Sequence, residues 1–399
     1  MGEPRLSRRH SRFFFSNFRK LFAYFRIIVY FCGILIYYNM KKLLTLLAVM
    51  LISSTAIQAQ SKRFEKHAIG FYNLENLFDT CHDEGKNDYE YLPTGQNKWN
   101  GLKYSHKLKN MAKVLSEMGT DNVVGVPYGC VAIGVSEVEN AKCLADLCEQ
   151  PPLKARNFKF VHIEGPDKRG VDCALLYNPK FFTVRDYKLV PYVYVKEKDA
   201  GRATRGFLVV SGTLSGEHVT IIVNHLPSRG AESFYREEGG RQLRIVKDSL
   251  IKDDPKVKLL IMGDMNDDPQ DKSMAVSLGA QRKIDDVEKR YGLWNPWWDV
   301  LASGTGTLQY DGKWNLFDQI ILSQSLLDPK HMTGKKADKK KVDYSSLRYY
   351  DHQIFRRDYL FQKEGKYKGN TLRTHTGGAW LDGYSDHLPT VVYLVKAVK

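Results

Sequence analysis

Residues able to move protons or bind phosphate recur in this chain at one kind of place, the end of an apolar run. "FYNLEN" puts Asn73 and Glu75 there, "GVSEVEN" puts Glu137 there, "IIVNHLPSRG" ends in Asn224 and His225, and "LLIMGDMNDDP" ends in Asp264 and Asn266. "NLFDQIILS" carries Asp318 inside an apolar stretch, where a carboxylate is costly unless paired. "YSDHLPT" sets Asp386 beside His387 just before the last apolar run, "TVVYLV". Singly, each has an ordinary structural explanation: Asn73 as a turn cap, Glu137 at a helix start where a carboxylate suits the dipole, His225 as a satisfied strand-end histidine. Jointly they form a set of Glu, Asp, Asn and His without cysteine. Such hard, oxygen-rich donors suit Mg²⁺ or Mn²⁺ better than structural zinc.

A few carboxylates for a hard cation, with neutral amides and histidines around it, fit hydrolysis of a phosphate ester. The cation neutralises phosphate charge, and His or Asn donors stabilise the pentavalent transition state. A histidine held by a carboxylate can act as acid or base near neutral pH. No GxSxG nucleophile elbow, P-loop or GxGxxG fingerprint occurs. A calcineurin-like metallophosphatase is a rival, because "GDMND" contains GDxxD. It needs an early Asp-x-His and a later Gly-Asn-His, and here Asn224-His225 precedes the GD motif. A secreted binding module without turnover is the alternative of another class, and the intact polar set argues against it.

The elements that must position these residues read as strands alternating with amphipathic helices. Strands are expected at "HAIGFYNL", "VAIGVSE", "KFVHIE", "VDCALLY", "FLVVSGTL", "VTIIVNH", "VKLLIMGD", "LFDQIILS" and "HLPTVVYLV", β-branched and bounded by Gly, Asn or Pro. "YSHKLKNMAKVLSEMG" and "YREEGGRQLRIVKDSLIKD" carry apolar residues at helical spacing, and "ENAKCLADLCEQ" runs from a strand into a helix. This mixture implies an α/β domain of sheets covered by helices, whose strand ends converge on one cleft.

The 399 residues are 43% hydrophobic and 26% charged, the balance of a globular protein. Of the net charge of +15, +8 lies in residues 1–59, leaving 60–399 only mildly basic. That is too little for a nucleic-acid coat. From Met40, "MKKLLTLLAVMLISSTAIQAQ" reads as a signal peptide ending at Ala59, with residues 1–39 a translated leader ahead of the true start. Export to the periplasm or the extracellular space follows, with one domain over 60–399. Its five cysteines show no zinc-type spacing and allow one optional bridge. Residues 330–368 hold twelve Lys/Arg against five acids. They read as a solvated insertion, or as a basic lip with interleaved aromatics beside a phosphate site. "GLWNPWWDV" (292–300) offers tryptophans that would meet a membrane if exposed and fill the core if not.

In order, "FYNLENLFD", "GVSEVEN", "RGVDCALLY", "VNHLPSRG", "MGDMND", "FDQIILS" and "YSDHLP" resemble the endonuclease/exonuclease/phosphatase superfamily of metal-dependent phosphoesterases, over about 66–396. The resemblance implies a four-layer α/β/β/α sandwich and an endonuclease-like phosphodiesterase, with a phospholipid or small-molecule phosphatase as the alternative. It implies Glu137 as main Mg²⁺ ligand, with Mn²⁺ able to substitute, Asn73 beside it on metal or phosphate, and Asp386 on the metal side. Asp264 would activate the attacking water and Asn266 would hold the phosphate. His225 would stabilise phosphate or leaving group, while His387, oriented by Asp318, would contact the phosphate. Arg169 and Arg229 would be phosphate-side cations. A nucleic acid is a plausible partner and no stable protein partner is implied. The approach to Glu137, "VVGVPYGCVAIGVSEVEN", is longer than the family's usual run.

Overall fold

The structure, a computed structural model, describes residues 9–58, 63–120, 124–199, 202–332 and 338–398. Residues 1–63 and 64–399 form two separate compact units. The first is helix α1 (Arg9–Gln58), which runs on through Met40 without a break. Its stretch Leu21–Met50 is long and apolar enough to cross a membrane, a test that a signal sequence also passes. Ala59, the expected processing point, lies outside the described residues.

The second unit runs through β1 (Arg63–Leu77), α2 (Gly101–Glu117), β2 (Cys130–Val138), α3 (Ala141–Cys148), α4 (Pro151–Lys154), β3 (Lys159–His162), β4 (Asp172–Tyr177), β5 (Phe182–Val190), β6 (Phe207–Leu214), β7 (Glu217–His225) and α5 (Ser233–Asp253). It continues through β8 (Lys258–Asp264), β9 (Ala280–Gln281), β10 (Leu293–Trp294), α6 (Trp298–Ala302), β11 (Leu308–Tyr310), β12 (Lys313–Asn315), β13 (Asp318–Ser323), α7 (Pro329–Met332), β14 (Arg348–Ile354), β15 (His375–Thr376), β16 (Ala379–Trp380) and β17 (Thr390–Val398). One mixed sheet has the order β14-β17-β1-β2-β4-β3, the other β5-β6-β7-β8-β13-β10-β9.

Strand alternation decides what each face covers. In β8, Leu260 and Met262 point into the core shared with the first sheet, while Leu259 and Ile261 join Leu243 and Ile251 of α5. The first sheet's outer face is covered by α2 and α3, through Leu108, Met111, Leu115 and Leu144. The result is the α/β/β/α sandwich. The sheets approach closely where Gly134 faces Met262: a Cβ there would lie 2.5 Å from the sulfur. Asn100 and Asn140 cap α2 and α3, accepting hydrogen bonds from the amides of Lys103 and Cys143.

All nine expected strands are present, and two long ones were not foreseen. The first is β5. The second, β14, lies within 330–368 and pairs antiparallel with β17, so this segment is not a purely solvated insertion. Its Arg348 donates to the carbonyls of Ser325 and Leu327, and Arg356 stacks on Trp314 and Phe361. Residues 333–337 of it lie outside the described residues. The tryptophan segment is core. Trp297 is fully buried and donates to the Ile320 carbonyl, and Trp294 donates to that of Arg282. Among the described residues no cysteine forms a disulfide.

Candidate active site

Strand register assembles the first half of the site. His225 of β7 stands opposite Asp264 of β8, and Asp264 opposite Asp318 of β13, so three polar residues share one row at one edge of the second sheet. The row is closely packed. A Cβ on Gly263 would lie 2.1 Å from the Asn224 carbonyl oxygen, so the residue before Asp264 must be glycine for β7 and β8 to pair. After the row, Asn266 takes a left-handed φ of 50° and donates its side-chain N–H to the Leu226 carbonyl.

The first sheet supplies the other half. Asn73 donates to Asp264 Oδ2 across the two sheets at 3.1 Å, and its Oδ1 accepts from the Glu75 amide. Glu137 sits where the β2 pairing slips, with φ of 59°. A non-glycine residue in that region costs on the order of 1–3 kcal/mol, so the surrounding fold enforces this orientation. Glu137 Oε2 accepts from the Asn76 amide, while Oε1 has only distant neighbours, Arg169 and His225, each at 3.9 Å.

The segment before β17 closes the site. Ser385 Oγ donates to the Asn73 carbonyl and accepts from the His387 amide, which fixes "SDH" against β1. His387 Nδ1 donates to Asp318 Oδ2 at 2.7 Å, and its Nε2 lies 3.8 Å from Asp264 and 3.9 Å from Asp386. Asp318 is fully buried and its Oδ1 has no hydrogen bond.

These surroundings drive the two histidines apart. Burial, then the positive charges of Arg205, Arg169 and His387, hold His225 well below the ordinary histidine value, so it is a neutral ring. Burial also works against a charged His387. The carboxylates of Asp318, Asp264 and Asp386 outweigh it and hold His387 well above that value, as an imidazolium. Asp264 is pushed up to about 7, chiefly by burial, with the nearby charge of Asp318 adding and that of His387 opposing.

Of the ten residues expected from sequence, Glu137, Arg169, His225, Asp264, Asn266, Asp386 and His387 line one cleft of about 1060 Å³. Asn73 and Asp318 stand behind that wall, bonded to Asp264 and His387. Arg229 is elsewhere. Its guanidinium bonds Asp268, Asp271 and Asn315 and stacks on Phe317, so its charge is already neutralised. None of the described residues in 330–368 lines the cleft. Of its described cations, Arg348 and Arg356 serve the sheet edge and a neighbouring loop, while Lys363, Lys366 and Lys368 are exposed.

Sequence reading missed a buried network beside Asp386. Arg373 bridges Glu75 Oε1 at 2.8 Å and Asp386 Oδ2 at 2.9 Å, and Thr374 donates its amide to Glu75. Glu75 is pushed up to about 7 by burial and by Asp386. Lys107 is lowered to about 8 by burial and donates to Thr374 and to the Tyr384 carbonyl. The sole local signal for this network is Glu75, the one acid in "NLEN".

A family model described as Endonuclease/Exonuclease/phosphatase family matches residues 68–396. The chain belongs to this family. Its members hydrolyse phosphate esters with divalent metals, and this chain is a phosphoester hydrolase. Among solved structures, a humanised D. rerio TDP2 is 15% identical, with 82% of this chain and 98% of that one covered and a TM-score of 0.47. An endonuclease/exonuclease/phosphatase family protein from Bacteroides thetaiotaomicron is 14% identical, with 84% and 100% covered and a TM-score of 0.49. A mannosyl-6-phosphatase of the same organism is 14% identical, with 82% and 99% covered and a TM-score of 0.49. No curated protein matches at a significant level.

The donor set fits a hard divalent cation. Glu137 Oε1 and Asp386 Oδ1 are carboxylate oxygens without hydrogen bonds on the cleft wall, and no thiol lines it.

Proposed function

We propose that this protein is an exported, Mg²⁺-dependent phosphoesterase, with Mn²⁺ able to substitute, that hydrolyses a phosphodiester by direct attack of water. The observation that carries the reading is the convergence of His225, Asp264 and His387 on one cleft, with His387 held by Asp318, in surroundings that push the two histidines' proton affinities apart. Environments that split two like groups in this way assign donor and acceptor roles. Glu137 and Asp386 would hold the metal, which supplies charge neutralisation on the phosphate when bound. Asn73 aims Asp264 through its amide N–H, and its Oδ1, which accepts one hydrogen bond and keeps a second lone pair, would stand on the metal side.

Asp264, near neutrality in its affinity for protons, accepts a proton as the water oxygen bonds to phosphorus. The ester P–O bond breaks, and the departing oxygen is protonated from solvent. His387 donates to a phosphate oxygen, the Asn266 amide and His225 hold others, and Arg169 adds charge at the mouth. A small soluble ester is favoured over a polynucleotide, because none of the described cations of 330–368 lines the cleft. The apolar stretch Leu21–Met50 supports export, with processing after Ala59.

The test is release of p-nitrophenol from bis(p-nitrophenyl) phosphate by purified 60–399, beside plasmid DNA and sphingomyelin, with Mg²⁺, Mn²⁺ or EDTA. Cleavage of at least one ester, abolished by EDTA and by His387→Ala, is expected. No hydrolysis of any of them with either metal would sink the proposal.

A further inference from the structure

Besides the reacting groups, the same cleft is lined by a second set of residues, here called its bay: Lys168, then Tyr194, Lys198 and Arg202 from between β5 and β6, and Glu232 and Tyr235 at the start of α5. Positive charge exceeds negative there. Glu232 is shared by two ammonium groups, Lys196 at 2.7 Å and Lys198 at 3.0 Å. The Arg202 guanidinium lies 3.5 Å from Asp199, whose other oxygen already accepts the Tyr235 hydroxyl. Among the described residues Lys168 has no ion pair, and it is exposed.

The bay is also built to a fixed geometry. Arg202 rests on the rings of Tyr194 and Tyr235, with 4.9 and 5.8 Å to their centroids, which limits the sweep of a half-exposed side chain. Arg205, at the floor, is buried. It pairs with Asp167 at 2.9 Å and donates to the carbonyls of His225 and Leu226. Arg205, three residues after Arg202, is thereby fastened to the strand end that carries His225. An anion bound in the bay would sit at a set distance from the reacting phosphorus.

We propose that this bay binds a second anionic group of a small substrate, a phosphate, sulfate or carboxylate, so that esters with two acidic groups are preferred over those with the scissile one alone. The assignment of which ester is cleaved rests on the phosphoesterase reading; the binding preference does not. The cleft's volume, about 1060 Å³ for centre and bay together, is at the upper end for small-molecule sites.

The experiment is calorimetric titration of the full chain, in Ca²⁺, with thymidine 3′,5′-bisphosphate and with thymidine 5′-monophosphate. The bisphosphate should bind at least about tenfold tighter, and Arg202→Ala or Lys168→Ala should each cut that ratio to about threefold or less. Equal affinities, no binding of the bisphosphate, or a ratio that survives both substitutions would overturn the proposal. A single-stranded oligodeoxynucleotide that binds about tenfold tighter than the bisphosphate would overturn the small-substrate assignment. Intact bisphosphate preference without hydrolysis of any ester would count against the phosphoesterase reading alone.

Discussion

Asp318→Asn removes one charge behind the cleft while keeping size and a hydrogen-bond acceptor for His387 Nδ1. At the observed 2.7 Å, two unit charges attract by about 6 kcal/mol at an effective dielectric of 20. Most of this is offset by desolvation of the fully buried carboxylate, leaving roughly 1.5–3 kcal/mol for a hydrogen bond to a charged group. Lost from His387, that amount lowers its titration by about one to two pH units. His387 has a folded value well above its unfolded one, so its stabilising contribution is complete below the unfolded value and is lost as pH rises through the folded value. The variant should thus show a stability deficit of about 1.5–3 kcal/mol at pH 6 that shrinks at higher pH.

Catalysis should respond in the opposite sense. The variant gives up its imidazolium at a lower pH than the unsubstituted enzyme, so its kcat relative to that enzyme should be lower at pH 8 than at pH 6. Denaturant unfolding at both pH values, with aliquots from bis(p-nitrophenyl) phosphate hydrolysis quenched in alkali, measures both. A stability deficit that grows with pH, or an unchanged kcat at pH 8, would refute the charge pairing.

Glu137→Gln removes the most open carboxylate of the cleft and should weaken Mg²⁺ and Mn²⁺ binding at least about tenfold by calorimetry, with a parallel fall in kcat. In EDTA, Asp264 makes the protein lose stability as pH rises from 4 to 7, because its folded value, about 7, lies above its unfolded one. Asp264→Asn should flatten that slope in denaturant titrations, and an unchanged slope would show that burial does not perturb this group. Lys363, Lys366 and Lys368 are exposed and do not line the cleft. Their combined replacement by alanine should leave kcat/KM for a small ester within about twofold, as expected for surface charges remote from a site.

That these residues would gather in one place was legible in the sequence because they share a local signature, an apolar β-run ending in a polar side chain. Register then does what periodicity cannot show, bringing residues 225, 264 and 318 into one row. The motif "PSRG" does not announce that Arg229 is held by "NDDPQD", whose Asp267, Asp268 and Asp271 capture the guanidinium. The charge run at 330–368 hid "RYYDHQI", where Tyr349 and Ile354 pack inward while Arg348 and Asp351 take polar partners. The Glu75–Arg373 pair joins residues 298 positions apart, and nothing local announces it.

The position of the row at the seam between two sheets explains why fold and chemistry are hard to separate in this chain. Asn73 reaches from the first sheet to hold Asp264 in the second, and Ser385 ties the "SDH" segment back to Asn73. His387 returns from that segment to Asp318. The loop of contacts closes through four stretches of chain, and three of its members are nearly or fully buried carboxylate or amide groups that have no low-cost partner elsewhere. Relative sliding of the sheets by one residue would leave a buried charge unpaired, at a cost of a few kcal/mol. The same network that sets the protonation of His387 thereby fixes the register in which the two halves of the sandwich pack.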